Sequence, residues 1–257
     1  MLNNYFSWRH RNAIKRIINK TFLRKNTNAQ QSDWKKTARP EQLEPDGSWT
    51  TWLILAGRGF GKTRTGAETI HDWILSGRAK RIALIGETEK EVRQVMIEGE
   101  SGLLNTGFPE NRPVFKKSQM LLVWPNGAKA TGYTAEAYEK LRGPQFDGAW
   151  VDELAKFPNV QSVWDQLMFC LRLGDSPKVI VTTTPRPVEI IQNLMKEAGT
   201  YVTRGSTYDN KENLSKSYIQ YLLKKYEGTR LGAQEIHAEV LSENQETLWC
   251  RDMIKYV

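Results

Sequence analysis

A glycine-rich stretch near the start of the chain has the composition of a phosphate-binding loop. Residues 56–63 read AGRGFGKT, with alanine where this loop pattern usually has its first glycine. Its three glycines, which would let backbone N–H groups curl around a β-phosphate, are Gly57, Gly59 and Gly61. Lys62 would reach the β- and γ-phosphate oxygens, and the Thr63 hydroxyl would bind Mg²⁺. The stretch predicts a nucleotide site, with a glycine-rich turn before a helix as the alternative.

Two adjacent acids end an apolar run further along the chain. Residues 145–157 read QFDGAWVDELAKF. At the end of a strand, Asp152 would bind Mg²⁺ through water, and Glu153 would orient or deprotonate an attacking water. Paired acids are common in proteins, but a phosphate loop on a neighbouring strand favours a site. A glutamate beside the metal-binding aspartate points to an ATPase that works on polymers, and away from small-molecule kinases and GTPases.

A third polar cluster closes another apolar run. Residues 178–187 read KVIVTTTPRP, and their threonines are Thr182, Thr183 and Thr184. These hydroxyls would emerge beside the phosphate site, sense the γ-phosphate and pass its loss on to Pro185 and Arg186. The alternative is that β-branched residues simply favour a strand at this place.

The elements that would position these residues alternate between strands and helices. The predicted strands are Thr51–Ala56, Arg81–Gly86, Ala149–Val151, Lys178–Thr182 and Tyr201–Gly205, with a hairpin formed by Met120–Trp124 and Ala128–Tyr133. The predicted helices are Lys62–Leu75, Glu87–Glu98, Ala135–Leu141, Val160–Leu171, Pro187–Ala198, Leu214–Tyr226 and Arg230–Val240. Repeated βα units predict an α/β fold with a mostly parallel sheet and helices on both faces. With the loop and the glutamate, we expect a P-loop NTPase of the ASCE type.

Composition excludes several other classes of protein. The chain has 257 residues, of which 39% are hydrophobic and 26% charged, and no apolar run approaches the roughly 20 residues of a membrane span. Its two cysteines and three histidines are scattered: Cys170, Cys250, His10, His71 and His237. We therefore expect neither a disulfide framework nor a zinc site, and a reducing cytoplasm as the location.

The net charge of +8 belongs to one segment. Met1–Ala38 contains nine basic residues and one acid, whereas the remaining 28 basic and 28 acidic residues cancel. Apolar residues recur within this basic arm at helical spacing: Ile14, Ile17, Ile18 and Phe22. Three interpretations stay open: a helix docked on its own domain, an arm that contacts DNA or a partner, and a membrane-surface or targeting segment.

The motifs together resemble a known family. Residues 38–68 (ARPEQLEPDGSWTTWLILAGRGFGKTRTGAE), 141–157 (LRGPQFDGAWVDELAKF) and 182–187 (TTTPRP) are similar to the large terminase subunit of tailed bacteriophages, especially the branch found in gene transfer agents and related prophages. The resemblance covers about Ala38–Trp249. It implies an ATPase that uses ATP and Mg²⁺ to move double-stranded DNA into a procapsid through the portal. It further implies a small terminase subunit and an assembled homo-oligomeric ring as partners, and the bacterial host cytoplasm as the location.

The resemblance also assigns roles to single residues. Lys62 and Thr63 match the Walker A lysine and threonine, Asp152 the Walker B aspartate and Glu153 the catalytic glutamate. Gly57, Arg58, Gly59, Phe60 and Gly61 complete the nucleotide loop, and Thr182, Thr183 and Thr184 match the coupling motif. Arg39 and Gln42 resemble an upstream adenine-recognition segment. Either Arg142, offered to a neighbouring subunit, or Arg58, inside the loop, would act on the transition state.

The predicted domains are the basic arm 1–38, the ATPase core 39–210 and a helical extension 211–257. The family has a separate nuclease domain. The acidic residues after Thr184 in this chain, however, fall mostly on predicted helices, where we expect them to lie on solvent-exposed faces. We therefore expect an ATPase that does not cut DNA, because a two-metal nuclease needs several converging carboxylates. A helicase-like ATPase and a non-catalytic prophage remnant that only binds DNA or a partner are the alternative functions.

The basic arm leads to a first testable prediction. If its charges contact DNA phosphates, deletion of Met1–Ala38 will flatten the salt dependence of DNA binding, because each phosphate contact contributes about 0.9 to the log–log slope. The measurement is the DNA affinity of both chains over a series of salt concentrations. An unchanged slope would favour the docked-helix interpretation.

Overall fold

The computed structural model describes residues 34–241. Most of the basic arm (residues 1–33) and the end of the predicted extension (residues 242–257) lie outside the described residues, so the interpretations of the arm stay predictions. Residues 34–37 are helical, and the Lys35 ammonium lies 3.6 Å from the Asp72 carboxylate.

One eight-stranded sheet forms the centre of the described chain. Its strands are β1 (Thr51–Ala56), β2 (Arg81–Gly86), β3 (Val114–Lys116), β4 (Leu121–Val123), β5 (Lys129–Thr134), β6 (Gly148–Asp152), β7 (Lys178–Thr183) and β8 (Thr200–Gly205). Their order is β3-β4-β5-β2-β6-β7-β1-β8, and every pair is parallel except β3–β4 and β4–β5. The predicted mostly parallel sheet is confirmed, with an antiparallel meander at one edge.

Helices cover both faces of this sheet. They are α1 (Lys62–Leu75), α2 (Glu89–Glu91, continued by a π-helical turn Val92–Ile97), α3 (Val160–Cys170), α4 (Glu189–Leu194), α5 (Lys216–Tyr226) and α6 (Arg230–Glu235). Successive residues of β1 point to opposite faces: Trp52 and Ile54 pack with α1, whereas Leu53 and Leu55 pack in the cluster that holds α3 and α4. The strands are continuously apolar because the sheet that they form is buried on both faces.

The strand β7 lies between β1 and β6, which corrects one detail of the sequence analysis. The loop-bearing strand β1 and the acid-bearing strand β6 are not direct neighbours, because β7 pairs with both. Register places Thr183 opposite Leu55 and Thr182 opposite Asp152. The threonine strand is thus inserted between the two motifs, which is the arrangement of an ASCE-type P-loop fold.

The boundaries of β1, α1 and β2 match the predictions to the residue, and the hairpin is confirmed. Strand β3 was not predicted, since it has only three residues and a largely exposed surface. The predicted helix Glu87–Glu98 becomes a π-helix in its second half, where Glu98 N–H donates to the Arg93 carbonyl at 2.8 Å.

Three predicted helices were wrong in extent or type. Ala135–Leu141 is a 3-10 segment with non-helical backbone at Ala137. Pro187–Ala198 shortens to α4, and Arg230–Val240 shortens to α6, after which Ala238 has a φ of +59°. Helix propensity alone cannot predict such a left-handed backbone position. Within residues 34–241, no helix is long and apolar enough to cross a bilayer.

A buried histidine links α1 to the edge of the sheet. His71 is 2% exposed, and Trp124 Nε1 donates to its Nδ1 at 3.3 Å. Since Nδ1 accepts that bond, Nε2 carries the proton and donates to the Leu103 carbonyl at 3.1 Å. Burial lowers the pKa of His71 to about 4.

This histidine makes stability depend on pH. Between pH 6.5 and 4 the unfolded chain binds a proton at His71 and the folded chain does not, so the contribution of His71 to stability falls by up to about 3 kcal/mol as the pH drops. The difference in unfolding free energy between wild type and His71→Gln should shrink by that amount from pH 7 to 4, measured by urea denaturation. The control is Thr69→Val, a buried and non-titrating change in α1, for which the difference should not vary with pH. A constant difference for His71→Gln would contradict the neutral state of the buried ring.

Candidate nucleotide site

The glycine-rich loop turns sharply between β1 and α1. Gly59 and Gly61 have φ values of +75° and +101°, which L-residues with side chains rarely adopt, and Gly61 is the N-cap of α1. Among residues 34–241, the backbone N–H groups of Gly59 and Gly61 have no hydrogen-bond partner. They adjoin the free N–H groups of the first turn of α1, so the loop presents donors and the positive helix end to an anion.

The shape of this loop is maintained by the last residue of β8 and by chain segments that follow it. Four hydrogen bonds connect them: Gly57 N to Gly205 O (2.9 Å), Arg58 N to Glu235 O (2.8 Å), Thr207 Oγ1 to Arg58 O (2.7 Å) and Asn210 Nδ2 to Gly59 O (2.7 Å). Each of these bonds uses a group on the outer side of the loop. The inner side is left for a ligand.

Lys62, at the start of α1, is buried at the centre of the site. Its side chain is 8% exposed, and Nζ donates to the carbonyls of Ala56 (2.9 Å) and Gly57 (3.2 Å) and to Thr184 Oγ1 (3.2 Å). Nζ also lies 3.6 Å from Glu153 Oε1. Burial lowers the pKa of Lys62, although the charge of Glu153 opposes this shift.

Asp152 ends β6 in a buried position. Its Oδ1 accepts a 2.6 Å hydrogen bond from Thr182 Oγ1, and Thr182 in turn accepts one from Trp150 Nε1 at 2.9 Å. Burial, and then the charge of Glu153, raise the pKa of Asp152 to about 6. A chain of hydrogen bonds therefore orients this carboxylate from beneath.

Glu153 follows in a left-handed backbone conformation with φ 58° and ψ 42°. This conformation is uncommon for a residue with a side chain and is held by a 2.6 Å bond from Glu153 N–H to the Thr182 carbonyl. The carboxylate accepts bonds from Thr184 N (3.2 Å) and Thr184 Oγ1 (3.3 Å) and lies 3.7 Å from Lys156 Nζ. Burial alone would raise the pKa of Glu153, but the charges of Lys62 and Lys156 outweigh it and lower the pKa.

The three threonines take three different positions. Thr184 contacts both Lys62 and Glu153, Thr182 holds Asp152, and Thr183 Oγ1 accepts a bond from Ala155 N at 3.2 Å on the other side of the strand. The expectation that the hydroxyls emerge beside the phosphate site therefore fits Thr184. Thr182 lies beneath the site, and Thr183 points away from it because successive side chains of a strand alternate.

The donor set fits a hard divalent cation. Asp152 is a buried carboxylate beside a second carboxylate, and among the described residues its Oδ2 has no hydrogen-bond partner. The Thr63 side chain lines the same cavity and likewise has no hydrogen bond within residues 34–241. Carboxylate and hydroxyl oxygens are ligands that Mg²⁺ accepts, so Asp152 and Thr63 are the residues that would hold it.

Arg39 and Gln42 lie beside the loop but are occupied by protein partners. Gln42 is 5% exposed; its Oε1 accepts from Arg39 N at 3.3 Å, and its Nε2 donates to Thr65 Oγ1 at 3.2 Å. The Arg39 guanidinium stacks on the Phe60 ring and donates to the Phe60 carbonyl. Phe60 itself is fully buried against Gly205. In this structure the three residues brace the loop, and base recognition by Arg39 and Gln42 stays a prediction.

The two candidate arginines lie on different surfaces of the fold. Arg58 is 62% exposed at the rim of the cavity, where Nε donates to Glu235 Oε2 at 2.6 Å, and this partner raises the pKa of Arg58. Arg142 is 65% exposed, pairs with Glu139 at 2.9 Å and is outside the cavity lining. The structure therefore brings Arg58, and not Arg142, to the site of its own chain.

The cavity around the loop has a volume of about 1070 Å³. Sequence reasoning missed several residues in its wall, among them Trp34, Gln94, Asn210, Leu214 and Tyr218. Asn210 and Leu214 lie about 150 residues after the loop in the chain, and no local pattern marks them. Trp34 lies within the basic arm, where the sequence gives no sign that it belongs to the site.

Comparison with solved structures shows the same fold. The large terminase of a thermophilic bacteriophage matches with a TM-score of 0.63 and 16% identity, over 84% of this chain and 53% of that chain. The complex of that large terminase with ATP-gamma-S matches with a TM-score of 0.61 and 17% identity, over 84% and 52%. The ATPase domain of the Thermus phage P74-26 large terminase matches with a TM-score of 0.57 and 13% identity, over 77% and 94%.

This chain thus spans about half the length of the thermophilic bacteriophage's large terminase and nearly all of the P74-26 ATPase domain. No curated protein matches the sequence significantly. The family described as "Terminase large subunit, T4likevirus-type, N-terminal" matches residues 53–256. The match includes the phosphate-binding loop, the paired acids and the threonine strand, and the chain belongs to this family of large terminase subunits.

Proposed function

We propose that this chain is a Mg²⁺-dependent ATPase that drives double-stranded DNA into a procapsid, in the cytoplasm of a bacterial host. The observation that carries the proposal is the convergence of Lys62, Glu153 and Thr184 within 3.6 Å contacts beside the glycine-rich loop. A phosphate-binding lysine, a carboxylate and a hydroxyl at one point suit hydrolysis of a phosphoanhydride. Family membership and the complex of the thermophilic bacteriophage's large terminase with ATP-gamma-S support the same assignment.

Each side chain has a separate task in the proposed reaction. Lys62 and the free N–H groups of the loop bind the phosphates and neutralise the negative charge that develops on them. A bound Mg²⁺ would supply further neutralisation and fix the phosphate geometry. Glu153, whose lowered pKa keeps it ionised near neutral pH, orients the attacking water and accepts its proton.

Thr184 is placed to link the nucleotide to the rest of the fold. Its hydroxyl bonds both Lys62 and Glu153, and a γ-phosphate would compete for these same partners. Thr184 follows β7 directly and precedes the segment that leads to α4. Loss of the γ-phosphate would therefore change the hydrogen bonds at the end of β7. This is the coupling role that we assign to Thr182, Thr183 and Thr184.

The partners we propose are double-stranded DNA, the portal of a procapsid, a small terminase subunit and further copies of this chain in a ring. Family membership supports the first three. The surface position of Arg142 supports the ring, because Arg142 lies outside the nucleotide cavity of its own chain and is exposed for use by another copy.

Two substitutions separate binding from hydrolysis. Lys62→Ala should weaken nucleotide binding, because it removes the buried cation from the phosphate oxygens. Glu153→Gln should retain binding and slow hydrolysis by a factor on the order of 10² to 10⁴, the range for losing a general base. Binding is measured with a fluorescent ATP analogue and hydrolysis by phosphate release.

Exposed residues of the same types serve as controls for both changes. Lys196→Ala and Glu136→Gln alter surface side chains outside the cavity and should leave binding and hydrolysis at the wild-type level. Equal hydrolysis by wild type and Glu153→Gln would remove the basis of the assignment.

The role of Arg142 leads to a prediction on mixed assemblies. An arginine supplied by a neighbour is worth roughly 10³ to 10⁵ in rate, so a dilute monomer should hydrolyse ATP slowly and an assembled ring much faster. Mixing Arg142→Ala with Glu153→Gln chains should restore part of the activity, because each lacks a different half of a shared site. Absence of rescue in assembled mixed rings would count against Arg142 and favour Arg58.

A further inference from the structure

A second pocket, with a volume of about 380 Å³, lies beside strands β2 and β5. We call it the β2–β5 pocket. Its polar lining residues are Arg81, Lys129, Thr131, Tyr133 and Gln145. None of its lining residues also lines the nucleotide cavity, so the two sites are separate.

Strand register places the two cations of this pocket side by side. Arg81 and Lys129 are the first residues of β2 and β5 and are directly paired in the parallel ladder. Neighbouring strands are about 4.8 Å apart, so the two side chains leave the sheet close together. Like charges directly opposite each other across two strands are destabilising. An anion bound between the two side chains would offset this repulsion.

No carboxylate neutralises the pair within residues 34–241. Neither Arg81 nor Lys129 forms an ion pair there, and the pocket lining contains no acid. The acid beside them is Asp147, whose two carboxylate oxygens accept 2.8 Å bonds from the backbone N–H groups of Lys80 and Arg81. Both side-chain charges are therefore available to a ligand.

Hydroxyl groups continue the same face of β5. Thr131 and Tyr133 follow Lys129 at alternate positions, and alternate side chains of a strand point to one side. The Tyr133 ring packs edge-on against Phe146, with the ring centroids 5.7 Å apart. Burial raises the pKa of Tyr133, so its hydroxyl stays protonated at neutral pH and can donate a hydrogen bond.

The segment before β6 adds further donors to the lining. The backbone N–H groups of Gly143 and Gln145 have no hydrogen-bond partner in the part of the chain that the structure describes. The pocket thus combines two positive charges with hydroxyl and N–H donors and lacks an acid. Phosphate oxygens accept hydrogen bonds from such donors, and bonds from charged donors are the strongest.

We propose that the β2–β5 pocket binds a phosphate group, held by Arg81 and Lys129 and supported by the Tyr133 hydroxyl. Two sources can supply that group: the backbone of DNA and free inorganic phosphate. Both cations are exposed, which favours DNA, because exposed charges hold a single small ion weakly whereas many phosphates of a polymer bind together. With DNA as the source, the inference rests on the proposed function and assigns part of the surface that contacts the DNA.

The first experiment measures DNA affinity over a series of salt concentrations, with the full 257-residue chain, a double-stranded fragment and a buffer without phosphate. The double substitution Arg81→Gln/Lys129→Gln should flatten the log–log slope by about 1.8, because each lost phosphate contact removes about 0.9. Both residues are exposed, so folding is retained, and binding of a fluorescent ATP analogue should be unchanged.

The matched control is Lys90→Gln/Lys196→Gln. These two lysines are exposed and lie outside the pocket lining, and neither forms an ion pair among the described residues. The control removes the same net charge and should keep the wild-type slope. An equal loss of slope in the control would overturn the inference, because net charge and not the pocket would then explain the effect.

The second experiment locates the ligand and separates its two sources. Acetylation of each lysine is followed by mass spectrometry with DNA, with millimolar inorganic phosphate, and with chloride at equal ionic strength. We expect DNA to slow acetylation of Lys129 and to leave that of Lys196 unchanged. Protection of Lys129 by inorganic phosphate alone would identify the free ion as the ligand. Tyr133→Phe keeps the ring contact with Phe146 and should weaken the protection.

The outcomes separate the pocket from the proposed function. Acetylation of Lys129 that neither ligand slows would overturn the inference, and a wild-type slope for Arg81→Gln/Lys129→Gln would exclude DNA as the source. A wild-type chain that binds no DNA would instead count against the proposed function. The acetylation experiment with inorganic phosphate would then decide on the pocket by itself.

Discussion

The contact between Lys62 and Glu153, 3.6 Å apart, is the interaction on which the candidate site depends. It joins the start of α1 to the residue that follows β6, across the end of the intervening strand β7, and both side chains are largely buried. A buried ion pair stabilises a protein only when further hydrogen bonds compensate the loss of water. Here Thr184 donates to the carboxylate and accepts from the ammonium, so the threonine strand supplies that compensation.

The backbone conformation of Glu153 also positions its carboxylate for this contact. Glu153 has a left-handed conformation, and its N–H bonds the Thr182 carbonyl, which turns the carboxylate back towards β7 instead of along β6. Asp152, one residue earlier, still follows the strand and is held by the Thr182 hydroxyl. Adjacent acids thus reach different surroundings, and their pKa values move in opposite directions: burial raises that of Asp152, whereas Lys62 and Lys156, against the effect of burial, lower that of Glu153.

Much of the fold and the centre of the site could be predicted because their signals are local. The apolar run of β1, the glycines and Lys62 are consecutive in the chain, and the boundaries of β1 and α1 follow from them directly. Asp152 and Glu153 stand out because they end an apolar strand.

Local patterns do not give strand order, however, so the position of β7 between β1 and β6 could not be read from the sequence alone. The supporting contacts were unpredictable for a related reason: Asn210 and Gly59 are separated by 151 residues, and such pairs have no signature in a single sequence. Gln42 illustrates the same limit: its motif suggests a ligand contact, which stays a prediction, but no local pattern indicates that the fold buries its amide between Arg39 and Thr65.

The outer hydrogen bonds of the phosphate-binding loop also bear on how the chain acquires its site during synthesis. The loop leaves the ribosome early, but its carbonyl and N–H partners at Gly205, Thr207, Asn210 and Glu235 are made much later. A nascent chain that ends before Gly205 has the complete phosphate-binding sequence without any of these bonds, and one that ends before Glu235 still lacks the bond to Arg58 N–H. The loop therefore acquires its full set of supporting bonds late in translation, after nearly the whole described domain has emerged.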